Sequence, residues 1–219
     1  MAQIMTDFVR EREAMVDTLR RRGIADPAIL EAFRAVPREL FVSDEHAHLA
    51  YGDFPLPIEA SQTISQPYIV ALMIAAAGIR GGQTVLEIGA GSGYAAAVIS
   101  RVAGKVIGIE RQHELVTIAQ RRLARLGYDN VEIIEGDGTR GCPDQAPFDA
   151  ILAAASGSHV PDALIAQLAP GGRLVMPVGS PAGVQELIKV TKQDDGLLKQ
   201  ENLGGVRFVP LIGEEGWDA

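Results

Sequence analysis

Apolar positions recur at helical spacing at the start of the chain. From Asp7 to Arg22, Phe8, Met15, Val16 and Leu19 fall near one face together with Arg12, and charges occupy the rest. Gly23 predicts the stop. Asp26-Pro27 reads as an N-cap followed by proline in the first turn, opening a second helix over Ala28–Ala35 that must end before Pro37. An irregular stretch follows, because the two prolines of Tyr51-Gly52-Asp53-Phe54-Pro55-Leu56-Pro57 are too close for a regular element. A third helix is predicted over Tyr68–Ile79. From Val85 the rhythm changes to alternating strands and helices. Strands are predicted at Val85–Ile88, Lys105–Glu110, Val131–Glu135, Phe148–Ala153 and Arg173–Pro177, and helices at Ala95–Val102, His113–Leu126 and Pro161–Leu168. Two last strands, Glu186–Thr191 and Gly205–Val209, flank the polar loop Gln193-Asp194-Asp195-Gly196. The pattern predicts an α/β, Rossmann-like, doubly wound and mostly parallel sheet, with an antiparallel C-terminal strand pair and an N-terminal helical lobe.

The densest chemistry lies where the first of these strands ends. Glu87-Ile88-Gly89-Ala90-Gly91-Ser92-Gly93 places three glycines at every second position between a strand and a helix. Missing Cβ atoms let a ligand approach the backbone. Dinucleotide sites place a third glycine one residue later, where this chain has Tyr94. That departure points to a smaller cofactor bearing one nucleoside. Glu110 closes the second strand, where a carboxylate can accept from ribose hydroxyls. Gly136-Asp137-Gly138 closes the third, where Asp137 can accept from an adenine amino group. The ordered set resembles the class I S-adenosylmethionine-dependent methyltransferases.

Composition narrows the rest. The chain has 219 residues, 47% of them hydrophobic but only 5% aromatic, so one sizeable, mainly aliphatic core is expected. The net charge is −8, and the longest basic run is Arg20-Arg21-Arg22, so neither nucleic acid nor an anionic membrane is an expected partner. Cys142 is the sole cysteine, which fits a reducing, cytoplasmic setting. Met1–Arg22 lacks the apolar core of a signal peptide, and the apolar stretch Ile69–Ile79 is too short to span a bilayer. His46, His48, His113 and His159 have no metal-ligand spacing, so no metal site is expected.

Two flanking stretches resemble one family more closely. Val36-Pro37-Arg38-Glu39-Leu40-Phe41-Val42, Tyr51, Pro55-Leu56-Pro57-Ile58 and Gln62-Thr63-Ile64-Ser65-Gln66-Pro67 are similar, in order, to the protein-L-isoaspartate O-methyltransferases. So are Gly171-Gly172-Arg173-Leu174-Val175-Met176-Pro177-Val178-Gly179 and Val206-Arg207-Phe208-Val209-Pro210-Leu211. The resemblance implies one methyltransferase domain over residues 1–219. Residues 1–80 would carry the helices and substrate loop, and residues 81–219 the cofactor core and last strands. It implies S-adenosyl-L-methionine as cofactor, and methyl transfer to the free α-carboxylate of isoaspartyl residues in proteins and peptides. A monomer is expected. Two departures bear on substrate choice: Glu59-Ala60-Ser61, where the family often has glycines, and Ala154-Ala155-Ser156-Gly157-Ser158-His159 after the fourth strand.

The resemblance makes Ser65 the active-site serine, orienting the carboxylate, although Ser65 could also cap the helix after it. Cofactor-binding residues are expected at Gln62, Thr63, Ile64, Glu87, Gly89, Ala90, Gly91, Ser92, Gly93, Glu110, Arg111, Asp137 and Gly138. The substrate is expected at Thr63, Ser65, Gln66, Val206, Phe208, Val209, Pro210 and Leu211, with residues 62–67 and 206–211 clamping its backbone. Two alternatives stay open: an aspartyl O-methyltransferase that tailors peptides, and a cofactor-binding protein without turnover. The first usually carries a further C-terminal segment, whereas this chain ends at Ala219.

Overall fold

The computed structural model describes residues 2–218. Three helices precede the main sheet. α1 (Ala2–Arg21) buries Met15, Val16 and Leu19. α2 (Pro27–Ala35) starts where expected, with Asp26 accepting from the Ala28 N–H at 2.8 Å. A short hairpin of β1 (Leu56–Pro57) and β2 (Thr63–Ile64) leads into α3 (Pro67–Ala77).

The main sheet contains β3 (Thr84–Ile88), β4 (Lys105–Glu110), β5 (Val131–Glu135), β6 (Phe148–Ala153), β7 (Leu168–Val178), β8 (Gln185–Lys192) and β9 (Leu198–Val206). Their order is β5-β4-β3-β6-β7-β8-β9. The first five run parallel, and β8 and β9 are antiparallel, as expected. Between them run α4 (Tyr94–Ser100), α5 (His113–Leu126) and α6 (Asp162–Ala166). The chain reverses its direction of winding between β3 and β6. Their carboxyl ends therefore open a crevice, the place where such sheets bind ligands.

Two strands of the sheet differ most from the pattern. β9 spans Leu198–Val206 rather than Gly205–Val209. It is an edge strand exposed along most of its length, so no apolar alternation marks it. β7 begins at Leu168 and shortens α6, pairing with β6 across a register shift between Phe148 and Ala150. One buried cluster joins Leu19, Phe33 and Ile74 of the first three helices to Val85 and Val175 of the sheet and Ile99 of α4.

Candidate functional site

The glycine loop lies at that crevice. Gly89, Gly91 and Gly93 all take positive φ. Their close approaches differ. A Cβ on Gly93 would meet Ala119 and Leu123 of α5 at 3.3 Å, so this glycine seats a helix rather than a ligand. Gly138 packs closely on β3, because a Cβ there would come within 2.4 Å of the Ile88 side chain.

A cavity opens above the loop. It is lined by Gln62 and Thr63, Gly89 and Gly91, Ile109 to Gln112, Gly138, Ala154 and Ala155, and Val209 to Ile212. Of the residues expected at the cofactor, Gln62, Thr63, Gly89, Gly91, Glu110, Arg111 and Gly138 line it. Ile64, Glu87, Ala90, Ser92, Gly93 and Asp137 do not. Glu110 is only 6% exposed. Its Oε2 accepts from the Gly91 N–H at 3.0 Å and its Oε1 from the Gln112 N–H at 2.9 Å. Each oxygen keeps a lone pair for a further donor.

Glu87 lies beneath the loop at 2% exposure, and its Oε2 has no hydrogen-bond partner. Burial, reinforced by the nearby Glu110 charge, pushes its carboxyl up to about 8. Asp137 is engaged with protein. Its Oδ1 accepts from the Thr139 N–H and hydroxyl at 2.9 and 2.7 Å, and its Oδ2 from the Glu214 N–H at 2.8 Å. Burial acts to raise its pKa, but these donors and Arg140 outweigh it and hold the carboxyl below its ordinary value. Asp137 thus fastens the C-terminal segment that walls the cavity.

A second cavity is lined by Pro55, Ser65, Gln66, Ile69, Val184 and residues 205–208. Two stretches separate it from the first. In one, Gln62 and Thr63 face the first cavity and Ser65 and Gln66 the second. In the other, Val206 and Phe208 line the second cavity and Val209, Pro210 and Leu211 the first. All eight residues expected at the substrate therefore line one cavity or the other. Ser65 does not cap α3, whose N-cap is Gln66. Asp53 serves the helix start instead, accepting from the Tyr68 N–H at 3.0 Å, while Arg22 pairs with Asp53 and lies over the Tyr68 ring at 3.5 Å.

Polar groups without an assigned role in the sequence pattern fix this wall. Gln185, 1% exposed, accepts from the Phe208 N–H at 2.9 Å. Ser156 donates its N–H to the Val209 carbonyl, and its own carbonyl accepts from the Leu211 N–H and the Trp217 indole, each at 2.8 Å. Arg122 donates to the Ser92 carbonyl at 3.0 Å and to Glu59 at 3.4 Å, tying the β1–β2 turn to the glycine loop. Arg38, fully buried, donates to the Ser65 carbonyl at 2.9 Å. Of these, Arg38 and Ser156 lay in stretches that already stood out, whereas Gln185 and Arg122 did not.

A buried strand-end acid with spare lone pairs suits vicinal hydroxyls. Backbone without Cβ atoms suits close approach by a polar tail, and Ile109, Leu211 and Ile212 suit a flat base. Sheet order, glycine loop and acid together define a class I S-adenosylmethionine-dependent methyltransferase. Within that class the family is specific. The family model described as protein-L-isoaspartate(D-aspartate) O-methyltransferase (PCMT) matches residues 10–216, and the chain belongs to that family. It is 54% identical over 213 residues to protein-L-isoaspartate O-methyltransferase 1 of Rhodopseudomonas palustris, covering 97% of this chain and 87% of that one. It is 52% identical over 217 residues to the Syntrophus aciditrophicus protein-L-isoaspartate O-methyltransferase, covering 98% and 99%. Among solved structures, a protein-L-isoaspartate O-methyltransferase matches with TM-score 0.85 and 34% identity, over 93% of this chain and 66% of that one. A Plasmodium falciparum beta-aspartate methyltransferase (PCMT) crystallised with S-adenosyl-L-homocysteine matches with TM-score 0.79 and 27% identity, over 92% and 98%.

Proposed function

We propose that this protein methylates the free α-carboxylate of L-isoaspartyl residues in damaged proteins and peptides, using S-adenosyl-L-methionine. The observation that carries the reading is the shared wall: the stretches 62–66 and 206–211 each line both cavities. A group in the second cavity and a methyl donor in the first thus lie on either side of one wall.

In this reading Glu110 takes the ribose hydroxyls, Gly89 and Gly91 admit the amino-acid end of the cofactor, and Gly138 lies at the base. Arg111 lines the cavity, while Ile64, Ala90, Ser92 and Gly93 shape the two backbone stretches that bear the lining residues. Asp137 holds the C-terminal wall and keeps one lone pair of Oδ2 free for a base amino group. The cofactor supplies a methyl on a sulfonium, a good leaving group. The nucleophile is already anionic at pH 7. One O–CH₃ bond forms as the S–CH₃ bond breaks, the electron pair stays on sulfur, and no proton moves. No general base is needed, so this chain's contribution is positioning. Ser65 orients the incoming carboxylate, and Gln66, Val206 and Phe208 hold the peptide beside it. The following backbone nitrogen then displaces methanol without further help from the enzyme, giving a succinimide that partly hydrolyses to aspartate.

The same reading takes residues 1–219 as one methyltransferase domain, supported by the buried cluster shared between the N-terminal helices and the sheet. It takes the protein as a monomer in the cytoplasm, a setting that the single cysteine suits. Among the described residues no helix is long and apolar enough to cross a membrane.

The test is incubation of an isoaspartyl peptide with methyl-labelled cofactor. Label should enter the peptide and then leave as methanol. Ser65→Ala should lower kcat while cofactor affinity stays constant, because an interaction made mainly in the transition state appears in kcat. No incorporation of label would contradict the reading.

A further inference from the structure

Arg38 is the largest fully buried side chain among the described residues, and none of them places a carboxylate within ion-pair distance of it. A buried cation without a counter-charge is costly, so its presence calls for a geometric reason. Its contacts supply one. Nε donates to the Ala50 carbonyl at 2.8 Å, and Nη2 donates to the Ser65 carbonyl at 2.9 Å. The guanidinium lies over the Tyr94 ring, 4.7 Å from its centroid. Tyr94 is the first residue of α4 and follows Gly93 directly. One planar group thus spans from the wall bearing Ser65 to the helix that ends the glycine loop. Nη1 and the Tyr94 hydroxyl are both buried without hydrogen-bond partners. Lysine, a point charge on a flexible stem, cannot reproduce this fork.

We propose that Arg38 is a positioning residue for methyl transfer. It fixes the Ser65 backbone relative to the glycine loop, so that the incoming carboxylate meets the methyl donor in line. The proposal rests on the reading of Ser65 as the group that orients the carboxylate. A displacement of about an ångström at such a site is enough to cost on the order of a hundredfold in rate.

A double-mutant cycle tests it, with kcat measured on an isoaspartyl peptide and S-adenosyl-L-homocysteine affinity measured by calorimetry. Arg38→Lys should lower kcat roughly tenfold or more. It should leave affinity for S-adenosyl-L-homocysteine within about twofold, which a merely structural role would not. Adding Ser65→Ala to Arg38→Lys should lower kcat by no more than about twofold further, because residues acting as one unit are not additive. Multiplicative losses, or a parallel loss of cofactor affinity, would overturn the role of Arg38 alone. Wild-type kcat in Ser65→Ala would overturn the Ser65 reading, and this proposal with it. Should Arg38→Lys fail to fold, the wild-type protein labelled with ¹⁵N-arginine provides the readout. Saturation with isoaspartyl peptide should shift the Arg38 Nε–H signal, and an unmoved signal would overturn the proposal.

Discussion

The Glu110 carboxylate accepts a hydrogen bond from the Gly91 N–H at 3.0 Å, so the end of β4 is tied to the middle of the glycine loop. One acid therefore shapes the loop and faces the cavity that the loop borders. Glu110→Ala should weaken S-adenosylmethionine binding by about 1.5–3 kcal/mol, the value of hydrogen bonds to a charged group. Glu110→Gln should lose less, since its amide oxygen can still accept from Gly91. Isothermal calorimetry reads both, and unchanged affinity in Glu110→Ala would remove Glu110 from the site.

Glu87 predicts a pH effect. Its folded pKa, about 8, lies above the unfolded value, so the fold favours the neutral acid. The unfolded value is about 4.3. Stability from this group is full below the unfolded pKa and is lost as pH rises through the window up to the folded one. Each pH unit inside that window costs on the order of 1.4 kcal/mol at most. Glu87→Gln, neutral at every pH, should melt higher than wild type at pH 8 and flatten the dependence of Tm on pH between 5 and 8. Parallel pH profiles for the two proteins would show that Glu87 is not the titrating group.

The turn between β1 and β2 predicts a stability gain. Ala60 and Ser61 both take positive φ, 53° and 56°, in a turn closed by the Gln62 N–H on the Glu59 carbonyl. Residues with a Cβ lose roughly 1–2 kcal/mol each in that conformation. Glycine there relieves the strain but gives back about 0.4–1 kcal/mol through the unfolded chain. Ala60→Gly with Ser61→Gly should therefore raise Tm by a few degrees, on the order of 2–4 °C per kcal/mol for a chain of this size. A lowered Tm would mean that the Arg122–Glu59 contact depends on this turn as it stands.

The parallel core was legible because its signals are local. β3, β4 and β6 are apolar runs bounded by turn residues, and the glycine loop and Glu110 follow at strand ends. β9 was displaced because an edge strand with solvent on both faces has no apolar alternation to read. Many of the residues that line the two cavities lie in whole motifs, whereas their supports do not. A buried Gln185 or a half-buried Arg122 looks in sequence like any exposed polar residue, and only tertiary packing separates them. Asp137 stood out as a strand-end acid but not as the anchor of Glu214, a contact between distant parts of the chain.

The central claim is selectivity for the isoaspartyl linkage. An isoaspartyl residue presents its free carboxylate displaced from the position of an aspartyl side chain, and its backbone carries an extra methylene. A carboxylate about an ångström out of place should lose on the order of a hundredfold in rate. The direct measurement is kcat/KM on two peptides that differ only in this linkage. At least that order of preference for the isoaspartyl peptide is expected. Equal values, or a preference for the aspartyl form, would contradict it and favour an aspartyl O-methyltransferase.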